Sequence, residues 1–190
     1  MTNSSRTGQI ILLNGTSSSG KSSIARELLP MLDRPYYYLP VDAFNSMRHQ
    51  RVMSPEDLEA TLQRLAGGYH RAAAGMAVAG NDVVLDHVLR IRSWLRECVE
   101  LFSSDVVFVG VRCPLPELQR RELERGDRPV GKAESHYGLV HRDAVYDVEV
   151  DTSISSPRNC AEQIKAFVDA PADSRAFDRL REAAGPLWAR

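Results

Sequence analysis

The sequence predicts an α/β protein of three layers, a five-stranded parallel sheet with helices on both faces. Short apolar runs rich in β-branched residues recur at 9–14, 36–41, 82–88, 105–113 and 145–151. Segments with apolar residues spaced three to four apart separate those runs, as helices would. The first run also passes straight through a glycine- and serine-rich turn into a helical segment, the strand–turn–helix order of parallel sheets.

The run QIILLN (9–14) is bounded by glycine on both sides and suits a buried strand. In KSSIARELLPMLD, Ile24, Leu28 and Leu32 are spaced by four, and Pro30 falls near the end, where it costs a helix least. A second strand, Tyr36 to Val41, stops at Asp42. From Ser54, SPEDLEATLQRL supplies a serine cap, a proline at the first helical position and acids in the first turn. That helix runs on toward Ala79, with Gly67 and Gly68 marked as a break or bend.

DVVLDHV (82–88) is the next strand, and IRSWLRECVELF (91–102) is amphipathic in the helical period. DVVFVGVRC (105–113) gives the plainest strand signal in the chain. PLPELQRRELER begins helical and breaks at Gly126 into a polar, basic loop. VYDVEVD (145–151) alternates like a last strand, SPRNCAEQIKAFV (156–168) carries a cap and a first-turn proline, and AFDRLREAA predicts one more helix. No internal repeat appears.

A chain of 190 residues supports one domain with a full core. We expect that domain to span 1–170, with a lid at about 120–137 and a helical tail at 171–190 belonging to it. A net charge of −1 gives no electrostatic footprint for nucleic acid or a membrane surface, so any positive charge that matters must be local. Cys98, Cys113 and Cys160 are widely spaced and form no C-x-x-C pair, which fits small buried hydrophobes in a reducing compartment. MTNSSRTGQ has no apolar signal core, and no apolar run nears the roughly 18–20 residues of a membrane span. A cytoplasmic protein is the expectation.

In open parallel sheets ligands collect at the carboxyl ends of the strands. The turn after residue 14, Asp42, Asp86, Cys113 and Asp151 all fall at or near such ends. Gly15-Thr16-Ser17-Ser18-Ser19-Gly20-Lys21-Ser22 satisfies G-x-x-x-x-G-K-[ST], the Walker A phosphate loop, and Ser23 follows it. The glycines let successive N–H groups turn inward around phosphate oxygens at a helix N-terminus. Lys21 would reach the β- and γ-phosphates of ATP, and Ser22 would present its hydroxyl to Mg²⁺.

Asp42 could accept a proton from an acceptor hydroxyl, or hold that hydroxyl in line; its plainer reading is a helix N-cap. Asp86 ends an apolar strand, the loose Walker B pattern, and would meet Ser22 or magnesium; its plainer reading is an acid paired with an arginine. His87 is a ligand, a base or a structural histidine. Arg120, Arg121, Arg125 and Arg128 cluster in QRRELERGDR. We weight Arg125 and Arg128 as the phosphate-facing pair because they flank the break at Gly126, and we read the others as paired with Glu117, Glu122 and Glu124.

Several stretches then resemble one family. IILLNGTSSSGKSS, PVDAF, VVLDHV, VGVRC followed by ERGDR, and YDVEVDTS are similar, in that order and spacing, to the chloramphenicol phosphotransferases. These are small P-loop kinases whose fold is similar to shikimate and nucleoside-monophosphate kinases, and the resemblance covers about residues 9–168. It implies ATP- and Mg²⁺-dependent phosphorylation of a primary hydroxyl. It would make Asp42 the general base, Lys21 and Ser22 the ATP and magnesium contacts, Asp86 a Walker B-like acid and RGDR part of a lid. In that family a second acid often follows the acid of the third strand, where this chain has His87. The segment FNSMRHQRVM (44–53), placed to shape an acceptor pocket, is basic and polar.

Three readings stay open on sequence alone: a kinase of chloramphenicol or another small alcohol, a P-loop NTPase or regulatory module that transfers phosphate only to water, and a nucleotide-binding structural protein. Oligomeric state is open as well, a homo-oligomer included.

Overall fold

The computed structural model describes residues 6–49, 51–102, 105–126, 131–170 and 174–183. Arg128 lies outside them. In chain order the elements are β1 (Ile10–Asn14), α1 (Lys21–Leu28), β2 (Tyr36–Pro40), α2 (Val41–Ser46), α3 (Pro55–Val78), β3 (Asp82–His87) and α4 (Arg92–Leu101). They continue with β4 (Val106–Arg112), α5 (Leu115–Arg125), α6 (Lys132–Tyr137), β5 (Val148–Asp151), α7 (Pro157–Asp169) and α8 (Ala176–Glu182).

All five strands are parallel, in the order β2-β3-β1-β4-β5. β1 sits at the centre, and its side chains alternate between faces as a pleated strand requires. Ile10 and Leu12 enter one core with Leu85, Phe108, and the Tyr69, Leu95 and Phe177 side chains of α3, α4 and α8. Ile11 and Leu13 enter the other, with Val84, Val109, and residues of α1 and α7 such as Ile24, Leu28 and Ile164. Three layers result. Among the described residues no helix is long and apolar enough to cross a membrane.

Local chemistry sets several boundaries. Ser54 and Ser156 accept from the backbone N–H groups of Asp57 and Asn159, capping α3 and α7 where the sequence places caps. Pro30 converts the end of the first helix into a short 3₁₀ turn, Leu29–Met31. Cys98, Cys113 and Cys160 are all buried thiols.

Four expectations need correcting. The glycine pair does not break α3, which runs 24 residues without interruption. Each glycine costs a helix about 1 kcal/mol against alanine, but Ala66, Tyr69, Ala73 and Ala77 bury one continuous stripe. Gly67 also gives room to Arg71, whose guanidinium lies 3.1 Å from where a Cβ would stand. The last strand begins at Val148 rather than 145, because the Tyr146 ring turns in over Gly110 and against Phe108 at 4.6 Å.

The segment after β2 is a short helix, α2, and Asp42 lies in its first turn; Pro40 takes the N-cap position, so Asp42 is not the cap. Finally, Glu122 does not pair with the neighbouring arginines. It is buried and accepts from the backbone N–H groups of Gly131 and Ala133 at 2.8 and 2.9 Å, fastening the start of α6 to α5.

Candidate active site

The loop between β1 and α1 is built by close approach. A Cβ on Gly15 would stand 2.6 Å from the Val111 carbonyl oxygen and 2.7 Å from Ser19 Oγ. Ser18 (φ 64°) and Gly20 (φ 91°) both take the left-handed conformation that turns consecutive N–H groups to one side. For Ser18, a residue with a Cβ, that conformation carries a cost of about 1–2 kcal/mol, the kind of strain that accompanies binding loops. Lys21 is buried and donates to the carbonyl oxygens of Gly15 and Thr16, each at 2.9 Å. Its ammonium therefore sits across the loop.

Gly20 caps α1 without a side-chain bond, leaving the first-turn amides aimed at the loop's concave side. Beyond β5, Thr152 donates from Oγ1 to Ser19 O at 2.9 Å and ties the loop to the end of the edge strand. Strand register brings the second group of residues alongside. Asp86 faces Leu13 across one pairing and Pro40 across the other. Ser22 Oγ donates to Asp86 Oδ2 at 2.7 Å, Tyr38 OH donates to the same oxygen at 3.0 Å, and Lys21 Nζ lies 3.8 Å from Oδ1. Burial, and then the charge of Asp86, push the Tyr38 hydroxyl well above its usual range, so it stays a donor.

Asp86 thus pairs with a lysine and two hydroxyls, not with an arginine. A hydroxyl beside a carboxylate is a hard-oxygen donor set, and Mg²⁺ characteristically uses one or two such protein oxygens, completing its shell with phosphate and water. Among the described residues no group of three or more His, Cys, Asp or Glu could hold a metal by itself. Ser22 and Asp86 fit magnesium in that limited sense.

Arginines close the outer side of this cleft. Arg121 and Arg125 share a face of α5 and both line it. Arg121 donates from Nη1 to Thr152 Oγ1 at 2.9 Å and from Nη2 to Thr152 O at 2.8 Å, while its Nε is held by Glu117 at 2.7 Å. Arg120 turns outward between Glu117 and Glu124. The hydrogen bonds from Arg120 and Arg121 bring the Glu117 carboxyl down to about 2. Arg121 is bonded into the loop assembly, Arg125 lines the same cleft one turn further along α5, and Arg128 lies outside the described residues.

Two clefts open at this edge of the sheet. The first, of about 280 Å³, is lined by Ser17, Ser18 and the stretch Gly20 to Ser23, by Asp42 and Asp86, and by Arg121, Arg125 and Thr152. The second, of about 310 Å³, lies between α2, α3, β3, α4 and α6; Leu62, Leu65, Ala66 and Trp94 give it an apolar wall, and Asn45, His87 and His136 add polar groups. Arg90 crosses it with both oxygens of Glu59 at 2.7–2.8 Å and stands over the Trp94 ring at 5.1 Å. Val41, Asp42 and Val88 belong to both clefts. Phe44, packed edge-on against Tyr69 at 5.0 Å, and Tyr69 OH, donating to Leu39 O at 2.7 Å, hold α2 and its aspartate at that seam.

Residues 8–169 match the family described as "Chloramphenicol phosphotransferase-like protein". The chain belongs to that family. Two Mycobacterium tuberculosis relatives, from strains CDC 1551 / Oshkosh and ATCC 25618 / H37Rv, are each 29% identical to it over 206 residues. The alignment covers 92% of this chain and 88% of theirs, and both carry the printed description "Putative O-phosphotransferase". Among solved structures, the APS kinase CysC of M. tuberculosis in complex with AMPPNP and APS superposes with a TM-score of 0.66 at 18% identity, covering 86% of this chain and 99% of that one. Shikimate kinase from Acinetobacter baumannii in complex with shikimate gives 0.65 at 16% identity, covering 86% and 94%. A gluconokinase from Sinorhizobium meliloti 1021 gives 0.61 at 18% identity, covering 94% and 95%. These likenesses establish the P-loop kinase fold. Family and fold together support a kinase-type phosphotransferase.

Within this chloramphenicol phosphotransferase-like chain, the structure gathers Gly15 to Ser23, Asp42, Asp86, Arg121 and Arg125 at one sheet edge. Tyr38, Thr152 and the α3, α4 and α6 walls of the second cleft were missing from the sequence reading, which did hold Asp42, His87 and, within 44–53, Asn45. Tyr38 carried a usable signal, since it lies on the same strand face as Pro40, opposite the Walker B-like acid. His70 and Glu97, described below, carried none.

Proposed function

We propose that this protein is an ATP-dependent O-phosphotransferase that moves the γ-phosphate to a hydroxyl of a small alcohol, with chloramphenicol as the leading acceptor. The observation that supports it best is the position of Asp42, on the seam shared by a phosphate-type cleft and an amphipathic one. A hydrolase needs only the first cleft. A transferase needs an acceptor pocket against it and a carboxylate between them.

In this reading the loop amides of 15–20 and the first turn of α1 bind the phosphates, and Lys21 swings from the Gly15 and Thr16 carbonyls to the β- and γ-oxygens. Ser22 and Asp86 would hold magnesium, which would supply neutralising charge to the phosphates. Asp42 accepts the proton of the acceptor hydroxyl as its oxygen bonds to the γ-phosphorus. The bond to the β–γ bridging oxygen breaks, and ADP leaves with that electron pair. Arg121 and Arg125 stabilise charge on the transferred oxygens. Leu62, Leu65 and Trp94 hold the acceptor body and exclude water, and α5 and α6, whose Arg121, Arg125, Lys132 and His136 line the two clefts, act as the lid.

The family match and the relatives' printed descriptions support transfer to oxygen, and chloramphenicol is the acceptor the family description names. The reading is tested by incubating the protein with ATP and Mg²⁺, with and without chloramphenicol and a panel of small alcohols. ADP is followed by a coupled assay and product by mass. A mass gain of one phosphate on an alcohol is the expected result. ADP release indifferent to every alcohol would make the protein an NTPase.

A further inference from the structure

Behind the second cleft runs a chain of polar groups, two buried histidines and a partly exposed glutamate, that phosphate binding does not use. Glu97 Oε2, on α4, lies 2.8 Å from His70 Nδ1, on α3; His70 Nε2 lies 3.0 Å from His87 Nε2, at the end of β3. His70 is 0% exposed and His87 2%. The His87 ring stacks on Trp94 at 5.6 Å and meets Tyr69 edge-on at 5.2 Å, so its orientation is fixed by packing.

Hydrogen-bond logic assigns every proton in this chain. A carboxylate only accepts. Burial works to raise the Glu97 carboxyl, but the hydrogen bonds from His70 and Arg71 hold it below its ordinary value. His70 therefore carries its proton on Nδ1. Burial pushes the His70 imidazole down, and the His87 ring, 2% exposed and with no carboxylate against it among the described residues, sits where only the neutral form is accommodated. A neutral His70 with a proton on Nδ1 has a lone pair on Nε2, so the 3.0 Å contact requires His87 to donate from Nε2. The neutral His87 is left with a lone pair on Nδ1. That atom is buried and has no hydrogen-bond partner among the described residues.

A buried acceptor without a donor is costly in a folded protein, and native structures seldom keep one without a use. His87 lines the second cleft, and so do Asn45 and His136, whose Oδ1 and Nδ1 atoms are likewise buried without partners. Three polar atoms without partners in one cleft point to a ligand that supplies donors. We propose that His87 Nδ1 is a specificity-determining acceptor for an O–H or N–H group of the molecule being phosphorylated, with Glu97 and His70 as positioning residues that fix its tautomer. The inference rests on the second cleft being the acceptor site. It adds the requirement that the acceptor carry a hydrogen-bond donor besides the hydroxyl that reacts.

The test uses the full chain labelled with ¹⁵N-histidine, the ring nitrogens being assigned with His70→Phe and His87→Phe. The expected spectrum shows His70 protonated on Nδ1 and His87 unprotonated there, with the His87 Nδ1 signal moving upfield on addition of chloramphenicol and a non-hydrolysable ATP analogue. In steady state, His87→Phe should raise the KM for chloramphenicol about tenfold, the worth of one strong hydrogen bond. Its kcat and its KM for ATP should change by less than about twofold. Glu97→Ala should raise the same KM to a smaller degree, and Glu97→Gln, whose amide oxygen still accepts, should restore it. A purely structural role would lower thermal stability in these variants and leave the KM of the folded fraction unchanged. A proton on His87 Nδ1, or an unchanged KM in both His87→Phe and Glu97→Ala, overturns the inference while leaving phosphoryl transfer standing. A wild-type protein that phosphorylates no alcohol overturns the phosphotransferase reading itself, and this inference with it.

Discussion

The two clefts on the sheet edge are made in opposite ways. The phosphate-type cleft is mostly backbone: one loop of six residues between β1 and α1, shaped by Gly15, Ser18 and Gly20, with Lys21 and Ser22 following immediately. The amphipathic cleft is all side chains, contributed by five elements spread from Val41 to His136. A backbone cradle recognises what every nucleoside triphosphate shares, so it can be written in a short local motif. A side-chain pocket recognises one acceptor among many, and nothing in its sequence needs to be contiguous. Asp42 joins them because it stands in the first turn of a helix packed against both.

If the division of labour is real, substitutions should respect it. Lys21→Ala should lower kcat/KM by about 10²–10³-fold, as expected for removing a charged donor to the transferred phosphate, and should weaken ATP without affecting how tightly the acceptor binds. Initial-rate kinetics with both substrates varied measure this. Equal weakening of the two substrates would break the comparison.

The arginines sharpen it next. Arg121→Ala should cost kcat about tenfold or more, since Arg121 ties α5 to Thr152 and the loop. Arg120→Ala, which removes only exposed ion pairs, should leave both kcat and the melting temperature essentially unchanged. Thermal unfolding and turnover of the two variants side by side decide between them.

In the second cleft, Trp94→Ala removes a wall and the partner of Arg90. It should raise the acceptor KM about tenfold and leave the KM for ATP unchanged. An effect on ATP alone would mean that the cleft has been assigned to the wrong substrate.

A separate effect is on stability against pH. Burial is the main cause that brings His136 and His141 down from 6.5 to about 4. The folded state thus binds fewer protons than the unfolded chain between those values. Stability is full above about 6.5 and declines as pH falls toward 4. Urea unfolding across that range measures the slope; a stability that rose on acidification would contradict these environments.

The same contrast explains what could be read in advance. The loop motif, the strand before it and the acid at the end of VVLDH are local signals, and they led to the right sheet and the right edge. VDAFNS is too short to show helical periodicity, so Asp42 was placed at a strand end rather than in α2. The Gly67–Gly68 pair is a true breaker by propensity, but a stripe of buried alanines and Tyr69 outweighs it. Arg121 and Arg120 are neighbours with identical chemistry, and only the rotation of α5 decides which meets Thr152. Glu122 looked like one more surface acid until its carboxylate was found under the α6 amides. His70 and Glu97 sit on two different helices, and no spacing rule connects them to His87.

The central claim is that Asp42, at the seam, serves the acceptor and not the nucleotide. Rapid-quench single turnover of Asp42→Asn, with saturating ATP, Mg²⁺ and chloramphenicol, tests it most directly. The account predicts nucleotide affinity equal to wild type and transfer to the alcohol slowed by about 10²–10⁴-fold, the usual worth of a general base. Transfer at a near-normal rate would contradict it, and so would a loss that came from ATP no longer binding.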